Sequence, residues 1–200
     1  MSHDGLLLIS GTGRCSFNVG AAMLLVRLEQ IINGYSELLG KVSAVLFVVM
    51  LFNVFIDVIM RYLLNDVSIG LQELEWHLYA AVFLLGVPYT LKTGGHVRVD
   101  LIYERLSDKT KALIDMFGTV LLLMPFCALV GWYGIDFARE SFELGETSGD
   151  PGGLPYRWVI KAVIPFAFFS IFISGMGLFL KSLNILLGQR QADNYQPPQH

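Results

Sequence analysis

The sequence has little charge and almost none of the residue patterns from which soluble catalytic sites are built. Of its 200 residues, 16% are charged and the net charge is −3, whereas a soluble domain carries about 25% charged residues. No basic run exceeds two residues, which argues against nucleic acid as a partner. There is no P-loop, no GxGxxG motif and no Ser/His/Asp constellation, and two cysteines define no disulfide framework. We therefore expect neither an enzyme nor a nucleic-acid-binding protein.

Histidine is scarce as well, with only His3, His77, His96 and His200. A membrane cytochrome commonly holds its haem between two histidines at matching depth on different helices. His77 and His96 fall on one helical segment about 28 Å apart, at 1.5 Å per residue, so they cannot bind one haem. A metal site at Glu73, Glu75 and His77 lacks support from further Cys or His residues. We expect no cofactor and no metal in this chain.

Hydrophobic residues are abundant, at 54% of the sequence with a mean hydropathy of +0.57. Four runs are long enough to cross a bilayer, which takes about 20 residues: residues 42–63, 74–91, 113–137 and 159–180. They should be helices, because backbone groups in lipid must bond within their own segment. The sequence predicts an all-α integral membrane protein in which four transmembrane helices form a single membrane domain over residues 23–185.

The segments outside the four runs are too short for a soluble domain. Residues 1–22 are predicted to be a disordered leader, and residues 186–200 a flexible tail. A short cytoplasmic surface helix is predicted between the second and third spans. Residues 23–41 predict an amphipathic helix, since apolar residues recur there every three or four positions: Leu24, Leu28, Ile31, Tyr35, Leu38 and Val42. Two interpretations stay open, an interfacial helix that braces a partner and an extension of the first span that covers its own bundle.

Lysine and arginine distribution predicts the orientation of the chain. Most of these residues lie in the N-terminal segment, the second connection and the tail. Basic residues favour the cytoplasmic side, so we expect both termini in the cytoplasm.

Several polar residues lie in or near the spans. Asn53, Asp57 and Arg61 recur every four residues and share one stripe, so Arg61 can pair with Asp57. A lone carboxylate in lipid is costly, and an adjacent arginine keeps it ionised. We therefore favour an internal ion pair or a partner contact over an ion path.

Two further groups of polar and aromatic residues mark the outer ends of the spans. Glu73 and Glu75 lie where the positive end of a helix dipole favours acids, and a partner contact is an alternative for one of them. Arg157, Trp158 and Lys161 begin the fourth span and have the character of interface anchors.

The run Leu71-Gln72-Glu73-Leu74-Glu75-Trp76, followed by Gly86, Tyr89, Leu91-Lys92 and His96-Val97-Arg98-Val99-Asp100, resembles the small permease subunit of TRAP transporters, the DctQ family. Arg61-Tyr62 fits the same pattern. Residues 148–165 resemble the branch associated with mannitol and chloroaromatic transport. The sequence departs from many members at Gln72, where a second acid commonly stands beside Glu73.

The resemblance implies a small subunit that enlarges a static scaffold in the bacterial inner membrane. A large permease subunit would carry the substrate and sodium sites, and a periplasmic substrate-binding protein would deliver a solute, often an organic acid. His96, Arg98 and Asp100 would then tie the inner connection to lipid headgroups, to the large subunit or to each other. The alternative is a membrane anchor subunit of a respiratory-type enzyme complex.

Overall fold

The computed structural model describes residues 12–94 and 106–186, with side chains from Leu24 onward except that of residue 108. Within those ranges the regular structure is entirely helical. The helices are α1 (Thr12–Leu63), α2 (Ile69–Thr93), α3 (Asp108–Gly118), α4 (Met124–Glu143) and α5 (Trp158–Leu186), with a π-helix (Thr119–Leu123) between α3 and α4. The predicted surface helix before residue 106 and the predicted tail after residue 186 lie outside the described residues.

Helix α1 is longer than the sequence predicted. The amphipathic segment 23–41 and the span 42–63 form one helix, which begins at Thr12, inside the segment predicted as a leader. The physical reason is that no proline interrupts this stretch, so nothing forces the backbone hydrogen bonds to end. Its 52 residues correspond to a rod about 78 Å long, against about 30 Å for the hydrocarbon core of a bilayer.

Helix α2 has well-defined ends. The side chain of Ser68 caps its start by accepting a hydrogen bond from the Leu71 N–H, and Gly94 ends it in the left-handed conformation with φ of 71°. This conformation favours glycine, because other residues meet a steric clash there. The predicted second span, residues 74–91, lies inside α2.

Three of the described helical stretches are long and apolar enough to cross a membrane: Leu24–Leu63, Lys109–Glu143 and Trp158–Leu186. They correspond to the predicted first, third and fourth spans. Helix α2 does not qualify by composition, since Glu73, Glu75 and His77 dilute its apolar residues.

The third stretch is one helical run, with five residues of π-helix in its middle. Pro125, the second residue of α4, explains this π-helix. Proline has no N–H to donate and its ring collides with the carbonyl four residues earlier, so the helix widens there. The hydroxyl of Thr119 donates to the Asp115 carbonyl at 2.7 Å within the preceding turn.

The bundle packs around α5, which contacts each of the other helices. Leu39, Leu85 and Ala167 form the buried core. Along α1 the usual pattern of a soluble helix is reversed, since Ser36 and Ser43 are buried while Leu24 and Leu38 are exposed. This arrangement suits a helix in lipid, where apolar side chains are solvated outside and polar ones find partners inside.

Candidate functional site

The stripe of Asn53, Asp57 and Arg61 forms in the last three turns of α1. The side-chain amide of Asn53 donates to the Leu71 carbonyl at 2.9 Å, which joins α1 to the start of α2. Arg61 pairs with Asp57 at 2.6 Å, as the four-residue spacing predicts. Asp57 is only 4% exposed, and its Oδ1 atom is buried without a hydrogen-bond partner. The role of the stripe, internal or towards a partner, stays a prediction.

Glu73 is the centre of a second polar cluster, at the end of the bundle where α2 begins. Its Oε1 atom accepts hydrogen bonds from the Ser148 hydroxyl at 2.5 Å and from Arg157 at 3.2 Å. Its Oε2 atom accepts one from the Leu154 N–H at 2.6 Å. One buried carboxylate thus fastens the α4–α5 connection to the start of α2.

The electrostatics of this cluster favour the ionised form of Glu73. The hydrogen bond from Ser148 has the largest effect, followed by that from the Leu154 N–H, and together with Arg157 they hold the pKa of Glu73 below its ordinary value. Burial of the carboxylate raises its pKa, but by less than these contacts together lower it. The carboxylate therefore stays charged at neutral pH.

The cluster is closely packed at Gly153. A Cβ atom there would lie 2.3 Å from the Ser148 hydroxyl oxygen and 2.8 Å from Glu73 Oε2. Glycine is required at this position because any side chain would displace the groups that hold the loop.

The predicted interface anchors at the start of α5 turn towards this cluster. Arg157 pairs with Glu73, and Lys161 pairs with Glu146 and lies 4.2 Å above the Phe137 ring. Trp158 packs edge-on against Phe142, with ring centroids 5.4 Å apart. The two basic side chains thus bind acids of their own chain, a partnership that the sequence reasoning did not identify.

Glu146 holds the α4–α5 connection from its other side. Its backbone carbonyl accepts a hydrogen bond from the Arg157 N–H at 3.1 Å. The hydrogen bond from Lys161 is the main cause that lowers the pKa of Glu146 below its ordinary value. Two acids, Glu73 and Glu146, therefore hold the same connection in place.

Glu75 does not join this cluster, although it is only two residues from Glu73. It lines a groove between α1 and α2 together with Met50, Arg61, Gln72, Trp76 and Tyr79. His77 makes a contact of 2.5 Å from Nδ1 to the Glu73 carbonyl. In the described part of the chain no group of three Asp, Glu, His or Cys side chains is placed to hold a metal ion.

The predicted inner residues His96, Arg98 and Asp100 lie outside the described residues. At this end of α2, Lys92 pairs with Glu37 of α1 at 3.0 Å. Glu37 also pairs with Lys41 at 3.1 Å, within α1. The Glu37–Lys92 pair joins α1 to the last turn of α2.

Polar contacts between α1 and α5 were missed by the sequence reasoning. Tyr35 meets Ser170 at 2.7 Å and Ser36 meets Ser174 at 2.8 Å. Farther along, the side-chain amide of Asn184 donates to Glu29 at 3.1 Å. A signal was present, because Glu29, Ser36 and Ser43 recur every seven residues on the side away from the leucine stripe. A seven-residue period places side chains on one continuous face of a packed helix.

Comparison with protein families identifies a family for most of the chain. The family model described as "Tripartite ATP-independent periplasmic transporters, DctQ component" matches residues 50–184. The match runs from the last four turns of α1 to near the end of α5 and includes the Glu73 cluster. A search of curated proteins and a search of solved structures found no match.

Proposed function

Since this chain belongs to the DctQ family, the small subunits of TRAP transporters, we propose that it is a static scaffold that holds the large permease subunit in the membrane. A DctQ protein is a transporter component and not an enzyme. The family match gives no support to the alternative of an anchor subunit for a respiratory-type complex. The tripartite system implies two partners, a large permease subunit and a substrate-binding protein.

The observation that carries the scaffold role is the direction of the polar side chains. Buried polar groups of α1, such as Ser36, Ser43 and Asn53, bond to α2 or α5 of the same chain. Large apolar residues such as Phe52, Phe55 and Leu129 are exposed. Such bonds fix the helices relative to one another, which is what a static support for a moving subunit requires.

We place the chain in the bacterial inner membrane as a multi-pass protein. A membrane location is supported by the family and by three apolar helices. Helix α2 would be the fourth crossing, because it packs antiparallel to α1: Asn53 meets Leu71 at one end and Glu37 meets Lys92 at the other. Four crossings would leave both termini on the same side, and the lysine and arginine distribution favours the cytoplasm.

The transported solute and the driving ion are further parts of the proposal. We expect sodium-coupled uptake of an organic acid or a related solute, with sodium bound in the large subunit and no cofactor in this chain. The resemblance of residues 148–165 to the mannitol/chloroaromatic branch narrows the expected solute class. Membrane lipids would surround the exposed apolar residues.

The test is reconstitution with defined components. The chain is co-expressed with the large permease subunit from the neighbouring gene, purified by a tag on one of them, and placed in liposomes with the substrate-binding protein and a sodium gradient. We expect stable co-purification, and uptake only when all components and the gradient are present. Failure to co-purify, or solute flux through liposomes that contain this chain alone, would show that the scaffold role is wrong.

A further inference from the structure

The outward side of α2 is less suited to lipid than the other exposed surfaces of the bundle. Leu85 and Leu91 face the bundle, while Trp76 and Tyr79 are exposed and Glu75 is half-buried beside them. Among the long helices described, α2 is the one whose composition falls short of a membrane span. A helix with a charged group on its outward side is stabilised by protein contacts there.

A groove on this surface contains a carboxylate that forms no ion pair with the described residues. The groove lies between α1 and α2, and its polar residues are Arg61, Gln72 and Glu75. Arg61 is already paired with Asp57. Among the described residues no cation lies within ion-pair distance of Glu75. A carboxylate within a membrane-spanning segment is normally paired, so Glu75 calls for a cation that Arg61, bonded to Asp57, does not supply.

We propose that this groove receives a helix of a membrane partner that places a lysine or arginine against Glu75. The inference rests on the proposed function, in which the large permease subunit supplies that helix. The aromatic rings of Trp76 and Tyr79 line the same groove and favour a cation through their negatively charged faces. A phospholipid would bring a phosphate, which Glu75 repels, and the one arginine of the groove is already bonded to Asp57.

The outward side of α4 provides the contrast. Phe126, Leu129 and Trp132 are exposed there, one turn apart and without a charged residue between them. Such a surface suits lipid acyl chains directly. Trp132 is 68% exposed and Tyr79 is 63% exposed, so the two positions are matched probes on different sides of the bundle.

The experiment is site-specific photocrosslinking in the assembled complex. Tyr79 or, in the control, Trp132 is replaced by p-benzoylphenylalanine, and the complex is irradiated in native membranes and separated by mass. We expect the Tyr79 probe to crosslink to the large permease subunit at least tenfold more efficiently than the Trp132 probe. Crosslinking of the Tyr79 probe to lipid alone, or to a second copy of this chain, would overturn the inference.

A charge variant gives an independent test that the partner is basic. Glu75→Lys should reduce co-purification of the large subunit at least tenfold and Glu75→Gln should reduce it less. Glu140→Gln, at an exposed acid on α4, is the control and should leave it unchanged. Circular dichroism and gel filtration of each variant alone establish that it folds. Unchanged co-purification with folded Glu75→Lys would contradict the inference.

The two proposals fail in different ways. If the wild-type chain co-purifies with the large subunit but neither the Tyr79 probe nor the Glu75 variants respond, the groove assignment is wrong and the scaffold role stands. If the wild-type chain does not co-purify, both are wrong.

Discussion

Glu73 Oε1 lies 2.5 Å from the Ser148 hydroxyl oxygen, although the two residues are 75 positions apart in the chain. The bond joins the first turns of α2 to the connection between α4 and α5. It is one of three hydrogen bonds that the same carboxylate accepts from that connection. The order of the α4–α5 connection therefore depends strongly on this acid, beside Glu146.

Glu73→Gln should loosen the connection without unfolding the bundle. A neutral amide oxygen is a weaker acceptor than a carboxylate, and the amide NH₂ is a donor that faces the donors of Ser148 and Leu154. We expect backbone amides of residues 148–157 to exchange hydrogen roughly tenfold faster, as for the loss of one charge-assisted hydrogen bond. Hydrogen exchange with mass spectrometry measures this, and Glu140→Gln is the matched control. Equal protection in Glu73→Gln and wild type would contradict the prediction.

The order of the connection should also depend on pH through Glu146. Its pKa is lowered in the folded protein from an ordinary value near 4.5, mainly by Lys161. A depressed pKa means that the stabilisation is present above the ordinary value and is lost as the pH falls through the folded one. We expect Trp158 fluorescence, in a protein with Trp76→Phe and Trp132→Phe, to change below pH 4.5.

Glu146→Gln is the control for the pH prediction. This variant should show a smaller change in Trp158 fluorescence at low pH, because a glutamine has no charge to lose. A transition of the same size and midpoint in that variant would assign the effect to another acid.

The stability of the protein should depend on the pairing of the buried Asp57 carboxylate with Arg61. Arg61→Leu leaves the buried Asp57 carboxylate without a cation, and we expect a cost of about 1–3 kcal/mol, between the values for exposed and for fully buried pairs. Asp57→Leu combined with Arg61→Leu should cost less than Arg61→Leu alone, because no charge is then stranded. Reversible denaturation in detergent micelles measures both. A double variant at least as unstable as Arg61→Leu would contradict this account.

Replacement of two glycines of α1 by alanine should change the stability of the protein in opposite directions. At Gly40 a Cβ atom would lie 2.7 Å from Cγ and 2.9 Å from Cβ of Tyr89, whereas at Gly34 no atom lies within 4 Å. Gly40→Ala should therefore separate α1 from α2 and destabilise the protein by about 1–3 kcal/mol. Gly34→Ala should stabilise it by about 0.5–1 kcal/mol through helix propensity. Thermal unfolding of both variants in one detergent gives the comparison, and destabilisation of equal size at the two sites would contradict it.

The parts of the structure that depend on local sequence could be predicted, and those that depend on distant contacts could not. The pairing of Asp57 with Arg61 follows from a spacing of four residues within one helix. The partners of Glu73 come from residues 148–157, and no local pattern connects them to α2. Arg157 and Lys161 are basic residues at the start of a span, which is typical of interface anchors. Their ion pairs with Glu73 and Glu146 could be seen only in the folded chain.

Periodicity identified the faces of α1 but not which face is inside. The stripe with Leu24, Leu28 and Leu38 is the exposed one, while Ser36 and Ser43 on the opposite side pack against the bundle. In water the apolar face of a helix packs inside. In lipid the apolar face can lie outside and the polar face inside, so the same pattern allows both orientations. The extent of α1 was also underestimated, because a change from amphipathic to apolar character does not end a helix when no proline interrupts it.

The unbroken length of α1 has a mechanical consequence. A helix of 52 residues is about 78 Å long, and the hydrocarbon core of a bilayer takes up about 30 Å of that length. The remaining part of α1 is an extension of the same helix beyond the core. A force on this extension is therefore resisted by every bond that fastens the membrane-spanning part of α1 to the bundle.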